Sequence, residues 1–231
     1  MRYCRFLFIP LLLAHFSTQA APLVVAADEW CPFNCQPDSA RPGYVVELLA
    51  AVFAQEGIEY RVLPWKRAVL KVQRGDGAAV IAATRTIVEK EQLQIGQEPV
   101  GYASDCLFIP ANSPVRYQGQ ADDLNPLKRV GVALGYAYGE GFGEWLARPE
   151  NKAKTLTMSG EQPAARNLRL LAAGGLDGVL ESGAVMNYLL RNAGLEKQVI
   201  SAGCDTPVPV YVAFGPLHSQ GDTLVKQFDQ G

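Results

Sequence analysis

Histidine is almost missing from this sequence: two residues in 231, of which only His218 lies beyond the N-terminal segment. A nucleophile–histidine–acid centre for acyl transfer therefore has no support, and no activated-serine motif accompanies it. A zinc site would want histidines or tightly clustered thiolates, and neither is present, so no metal is expected. An excess of positive charge is lacking too, with 21 Lys and Arg against 23 Asp and Glu. Without a basic cluster there is no electrostatic footprint for nucleic acid. Past the N-terminus no apolar run is long enough to cross a bilayer.

What is present begins with "MRYCRFLFIPLLLAHFSTQAAP". Arg2 and Arg5 precede an apolar run from Phe6 to Phe16 and then small residues, the order of a secretory signal, with cleavage expected after Ala20. Removing residues 1–20 takes away two arginines and no acid, so the formal charge becomes 19 − 23, or −4. Export to the periplasm changes how the cysteines read. Cys4 leaves with the signal, and Cys31, Cys35, Cys106 and Cys204 remain as an even set, which in an oxidising compartment favours structural disulfides. Four cysteines allow three pairings. The Cys31–Cys35 spacing is also not the Cys-x-x-Cys of thioredoxin-like oxidoreductases.

With 48% apolar residues, the chain is globular. "LVVAA" predicts a buried strand, and "GYVVELLAAVFAQEG" a helix whose Val45, Leu48, Leu49, Val52 and Phe53 share a face, with Gly57 suited to a left-handed stop. "IEYRVLP", "PWKRAVLKVQRG" and "AAVIAAT" continue as strand, helix, strand. From residue 128 the alternation recurs through "KRVGVALG", "YGEGFGEWLARP", "AKTLTM", "EQPAARNLRLLAAGG", "LDGVLE", "SGAVMNYLLRNAG" and "KQVIS". "CLFIPANSPVRYQGQADDLNP" separates the two runs, and "CDTPVPVYVAFG" returns as a strand after the second. Two α/β lobes with parallel crossovers, joined by extended segments, read as a binder that closes by a hinge around a ligand.

These segments, in this order and covering nearly all of the mature chain, resemble the periplasmic solute-binding proteins of the polar amino-acid type, with the type 2 two-lobed periplasmic-binding fold. The resemblance implies an α/β architecture: two lobes, each a mainly parallel sheet flanked by helices, joined by hinge strands. Residues 21–108 would form the first part of lobe 1, 109–205 lobe 2, and 206–231 the return strand and remainder of lobe 1. It implies a monomeric, non-catalytic protein, without cofactor, that captures a small polar solute, first of all an amino acid, for the permease subunits of an ABC importer. It also places Cys106 where the chain leaves lobe 1 and Cys204 just before it returns, so the pairs expected are Cys31 with Cys35 and Cys106 with Cys204.

An amino acid needs an anion site, a cation site and walls. Relatives commonly hold the carboxylate with arginine in a Thr-x-x-Arg motif; here Thr86 is followed at that spacing by Glu89. Arg85 is the nearest replacement and Arg67 another, since an arginine fork matches a carboxylate. Thr84 and Thr86 would add hydroxyls. Tyr136 and Tyr138 stand in the strand-to-helix turn "GVALGYAYGE", and Glu181 matches the acidic position with which relatives hold an ammonium. Trp30 and Trp65 are expected walls, with Phe33 beside them, whereas Trp145 and Asp177 read as structural. Two alternatives stand beside transport: a sensor domain signalling to a membrane partner, and a dehydratase-like enzyme on the same fold using carboxylates.

Overall fold

A computed structural model describes residues 21–231; the expected signal, residues 1–20, lies outside the described residues. The first half runs β1 (Leu23–Ala27), α1 (Tyr44–Val52), β2 (Ile58–Val62), α2 (Trp65–Gln73), β3 (Ala79–Thr84), α3 (Arg85–Lys90), β4 (Gln94–Ile95) and β5 (Gly101–Ala103). Then follow β6 (Asp105–Pro110), β7 (Val130–Ala133), α4 (Glu140–Ala147), β8 (Thr155–Met158), α5 (Pro163–Ala172), β9 (Gly178–Ser182), α6 (Gly183–Ala193), β10 (Val199–Cys204), β11 (Val208–Phe214) and α7 (Gly221–Gln230). They form two sheets, in the orders β2-β1-β3-β11-β4, with β5 also paired to β11, and β10-β6-β9-β7-β8.

Each sheet has a parallel half built by strand–helix–strand crossovers: β2, β1 and β3 in one, β8, β7 and β9 in the other. Antiparallel strands complete both, because the chain passes between sheets and must come back. β5 ends in the first sheet and β6 begins in the second with only Ser104 between them, and residues 205–207 carry the chain from β10 to β11. The first crossing thus falls ahead of the boundary expected after residue 108. Residues 105–108 already pair with β9, and Cys106, Leu107 and Phe108 also pair with β10.

Helix α1 shows how the core selects a face. Val45, Val46, Leu49 and Phe53 are buried, whereas Leu48 is 38% exposed, against the expected face. At about 100° per residue the buried set centres about 50° round from Val45, which leaves Leu48 more than 100° away. Phe53 meets Phe214 of β11 and Phe228 of α7, so the return strand and final helix close the first core. Gly57, at φ +73°, makes the turn into β2. In the second lobe Trp145 and Phe142 are wholly buried with Leu107, Leu124 and Leu180, so Trp145 is packing.

Both expected disulfides form. Cys31–Cys35 closes the loop after β1, and Cys106–Cys204 joins β6 to β10 where both strands approach the crossings. Beside the second bridge, the Asp205 amide donates to the Asp105 carbonyl at 2.8 Å, so the two crossing segments are bonded to each other.

Candidate functional site

A cleft lies between the sheets, lined from both. The first lobe supplies Asp28 and Trp30 from the loop after β1, Trp65 from the start of α2, and Ile81, Ala82 and Thr84 from β3. Asp105 comes from the first crossing, Val208 from the return, and Tyr136 and Ala137 from the turn after β7. These are mostly the carboxyl ends of parallel strands, where open α/β sheets leave a crevice because adjacent crossovers diverge. The cleft is half open to solvent, and the space within it is about 60 Å³, room for a few waters.

Side chains from the two lobes meet across this cleft. The Trp30 indole donates from Nε1 to Glu181 Oε1 at 2.8 Å, and the Tyr136 hydroxyl donates to Asp28 Oδ2. At the rim Gln162 Nε2 donates to Glu29 Oε2 at 2.9 Å, and the Trp65 and Tyr136 rings meet edge to face at 6.3 Å. Trp30 is held for its contact by its own loop. Its ring stacks on buried Phe33 at 4.7 Å, while Asn34 donates to the Asp28 carbonyl and, at 3.1 Å, to the Tyr60 hydroxyl. Phe33 therefore stands behind the wall and Trp30 in it.

Glu181 is the last residue but one of β9, whose five residues are all buried, and is itself 1% exposed. Its Oε1 accepts from Trp30 and from the Ser182 amide at 2.9 Å, whereas Oε2 has no partner. Burial pushes this carboxyl up to about 8, opposed by those two hydrogen bonds and reinforced by Asp105 and Asp28. Asp28 is raised to about 7, again by burial, with Tyr136 pulling it down and Glu29 pushing it up. Asp105 is raised to about 6 by burial and by Asp205, against the Gly139 amide that it accepts at 2.9 Å. No cation is among the groups that shift these three carboxyls, and none of the ion pairs among the described residues includes them.

The other expected site residues divide. Trp30, Trp65, Thr84 and Tyr136 line the cleft, and Glu181 bonds to its wall. Thr84 Oγ1 is buried without a partner. Arg85 is exposed and turned to Tyr211, whose hydroxyl accepts from it at 2.9 Å and whose ring lies 5.2 Å away. Arg67 and Thr86 are exposed on α2 and α3, outside the lining. Both arginines follow from helical direction: Arg67 lies two residues past the cleft residue Trp65, about 200° round α2, and Arg85 opens α3 on the side facing β11. Tyr138 packs against the second core, its hydroxyl accepting the Ala133 amide at 2.7 Å, so it fixes the turn that presents Tyr136. Asp177 is structural, accepting the Lys128 and Arg129 amides at 2.9 Å.

Sequence reasoning missed Asp28 and Asp105. The available signal was position: each is a carboxylate at the end of a strand or at a crossing, where the cleft must lie. Ala82 was also missed; it lines the cleft at φ +60°, left-handed for a residue with a Cβ, beside an irregularity in the β3–β11 pairing. Among the described residues no group of three or more His, Cys, Asp and Glu is placed to hold a metal ion, and no helix is long and apolar enough to cross a membrane.

No protein-family model and no curated protein matches the sequence. Solved structures do match its fold. A histidine kinase sensor domain with similarity to periplasmic binding proteins is 20% identical, with a TM-score of 0.72 over 92% of this chain and 89% of that one. An ancestral arginine-binding protein bound to arginine is 16% identical, with a TM-score of 0.74 over 92% and 91%. The arginine-, lysine-, histidine-binding protein ArtJ from Geobacillus stearothermophilus is 21% identical, with a TM-score of 0.71 over 90% and 88%. The chain has the type 2 periplasmic-binding fold.

Proposed function

We propose that this protein is an extracytoplasmic, periplasmic solute-binding protein that captures a small polar solute between its two lobes. The observation that carries the reading is the pairing of two lobes, each built on its own sheet, across a cleft whose facing groups, Trp30 with Glu181 and Tyr136 with Asp28, bond one lobe to the other. Two bonded crossing segments let such lobes part and close as bodies. A solute that replaces those contacts favours the closed form by its difference in affinity for the two states. Delivery to the permease subunits of an ABC importer is the first role for such a binder. Signalling to a membrane partner is the second, favoured by the sensor domain among its fold neighbours. Residues 21–104 and 208–231 form one lobe in this reading, and 105–204 the other.

The test is thermal unfolding of the mature, disulfide-intact protein against amino acids, amines, small carboxylates and sugars. A ligand at about 100 times its Kd adds roughly 2.7 kcal/mol, a shift of about 5 to 10 °C for a chain this size. A selective shift supports the reading. A cooperatively folded sample that no solute shifts counts against it.

A further inference from the structure

We propose that the solute of this cleft is an organic cation without a carboxylate, a protonated primary amine or short diamine, held by Glu181, Asp28 and Asp105 against Trp30 and Trp65. This rests on the solute-binding reading above and names its ligand class.

Charge is the first ground. The charged side chains lining the cleft are Asp28 and Asp105, with Glu181 bonded to the Trp30 wall. Arg67 and Arg85, the two groups suited to a ligand carboxylate, lie outside. Lys66 is exposed, lies outside the cleft lining on an adjoining recess that shares Asp28, Trp65 and Tyr136, and forms an ion pair with none of the three acids. An α-amino acid would bring its own carboxylate against Asp28 and Asp105, a like-charge contact with no cation to relieve it.

Unused hydrogen-bonding capacity is the second ground. Glu181 Oε2 and Thr84 Oγ1 are buried and unpartnered, and a native interior rarely leaves such atoms unmatched. Beside a bound cation Glu181 gives up the proton it holds in the free protein, and an ionised carboxylate only accepts hydrogen bonds, so its partner there is an N–H or O–H donor. A primary ammonium offers three donors and a positive charge; a quaternary ammonium offers the charge alone. The aromatic rings of Trp30, Trp65 and Tyr136 line the cleft, and a π face attracts a cation without demanding further hydrogen bonds. The small space inside the half-open cleft suits a compact head group.

The experiment is titration calorimetry at pH 8 on mature protein freed of co-purified solute by unfolding and refolding with its bridges intact. The probes are ethanolamine, putrescine, cadaverine and tetramethylammonium, against alanine, arginine and glutamate. The expected result is saturable binding of a primary amine or diamine, at least tenfold tighter than tetramethylammonium or any of the amino acids. Glu181→Gln and, as a second variant, Asp28→Asn each weaken it at least tenfold, while Arg85→Ala stays within twofold. Preferred binding of alanine, arginine or glutamate overturns the cation assignment and leaves the solute-binding reading standing. Absence of any bound solute, both in the titrations and in native mass spectra of protein never unfolded, overturns both.

Discussion

Replacing Glu181 by Gln is expected to flatten the pH dependence of stability of the ligand-free protein. Glu181 is buried, and its carboxyl moves from an ordinary 4.5 to about 8 on folding, chiefly through loss of water. Between those two values the folded state holds a proton that the unfolded state has released. Stability from this group is therefore fully present below about pH 4.5 and is lost as pH rises through about 8, at about 1.4 kcal/mol per pH unit. The same sign applies to Asp28, raised to about 7, and Asp105, raised to about 6, so the wild-type slope is a sum over the acids that face one another here. Subtracting the Glu181→Gln curve isolates one of them. Gln keeps an oxygen for the Trp30 indole and carries no charge, so the variant gains on wild type by a few kcal/mol between pH 5 and pH 8, about 10 °C in Tm. Thermal unfolding of both proteins at pH 4.5, 6 and 8 reads this directly. A Tm difference that is constant with pH would refute the argument, because it would mean that Glu181 is hydrated in the free protein and the lobes stand apart.

Three further outcomes follow from named contacts. Tyr136→Phe removes the donor that lowers Asp28, so the Asp28 carboxyl should titrate still higher by NMR, and chemical denaturation should show a loss of about 1 to 3 kcal/mol. Replacing both Cys106 and Cys204 by Ala unties a bridge spanning 98 residues and should lower stability by about 2 to 5 kcal/mol in non-reducing denaturant melts, with no change in the Cys31–Cys35 bridge by peptide mapping. Ala82→Gly should leave stability equal or raise it by up to about 1 kcal/mol, because Gly accepts φ +60° without a Cβ penalty; a loss of 1 kcal/mol or more in the same melts would contradict strain at that position.

Much of the architecture was legible because it depends on local rules. The buried runs of β1, β3 and β9 are short and apolar, the helices between them repeat every three or four residues, and that alternation forces parallel crossovers. The site was legible only in part. Of the residues expected there, Trp30, Trp65, Thr84 and Tyr136 line the cleft, and Glu181, expected from the acidic position of relatives, bonds to its wall. Arg67 and Arg85 were expected there because arginine suits a carboxylate, yet helical direction puts both outside, and no residue type records its own azimuth. Tyr138 sits two residues from Tyr136, its ring 6.4 Å away, yet it packs against the second core and is not in the cleft lining.

The sequence by itself determined the two runs of alternating strand and helix and an even set of four cysteines beyond the expected signal, since each follows from patterns within a dozen residues or from their order along the chain; the pairing of those cysteines came from the resemblance. Tertiary structure alone decided the electrostatic character of the cleft. Asp28, Asp105 and Glu181 are separated by up to 153 residues in sequence, and nothing there joins the first two to Glu181. Only when the chain crosses between its sheets and returns are they brought together, stripped of water and left without a cation, and burial of like charges is a property of the assembled space between lobes that no single segment carries.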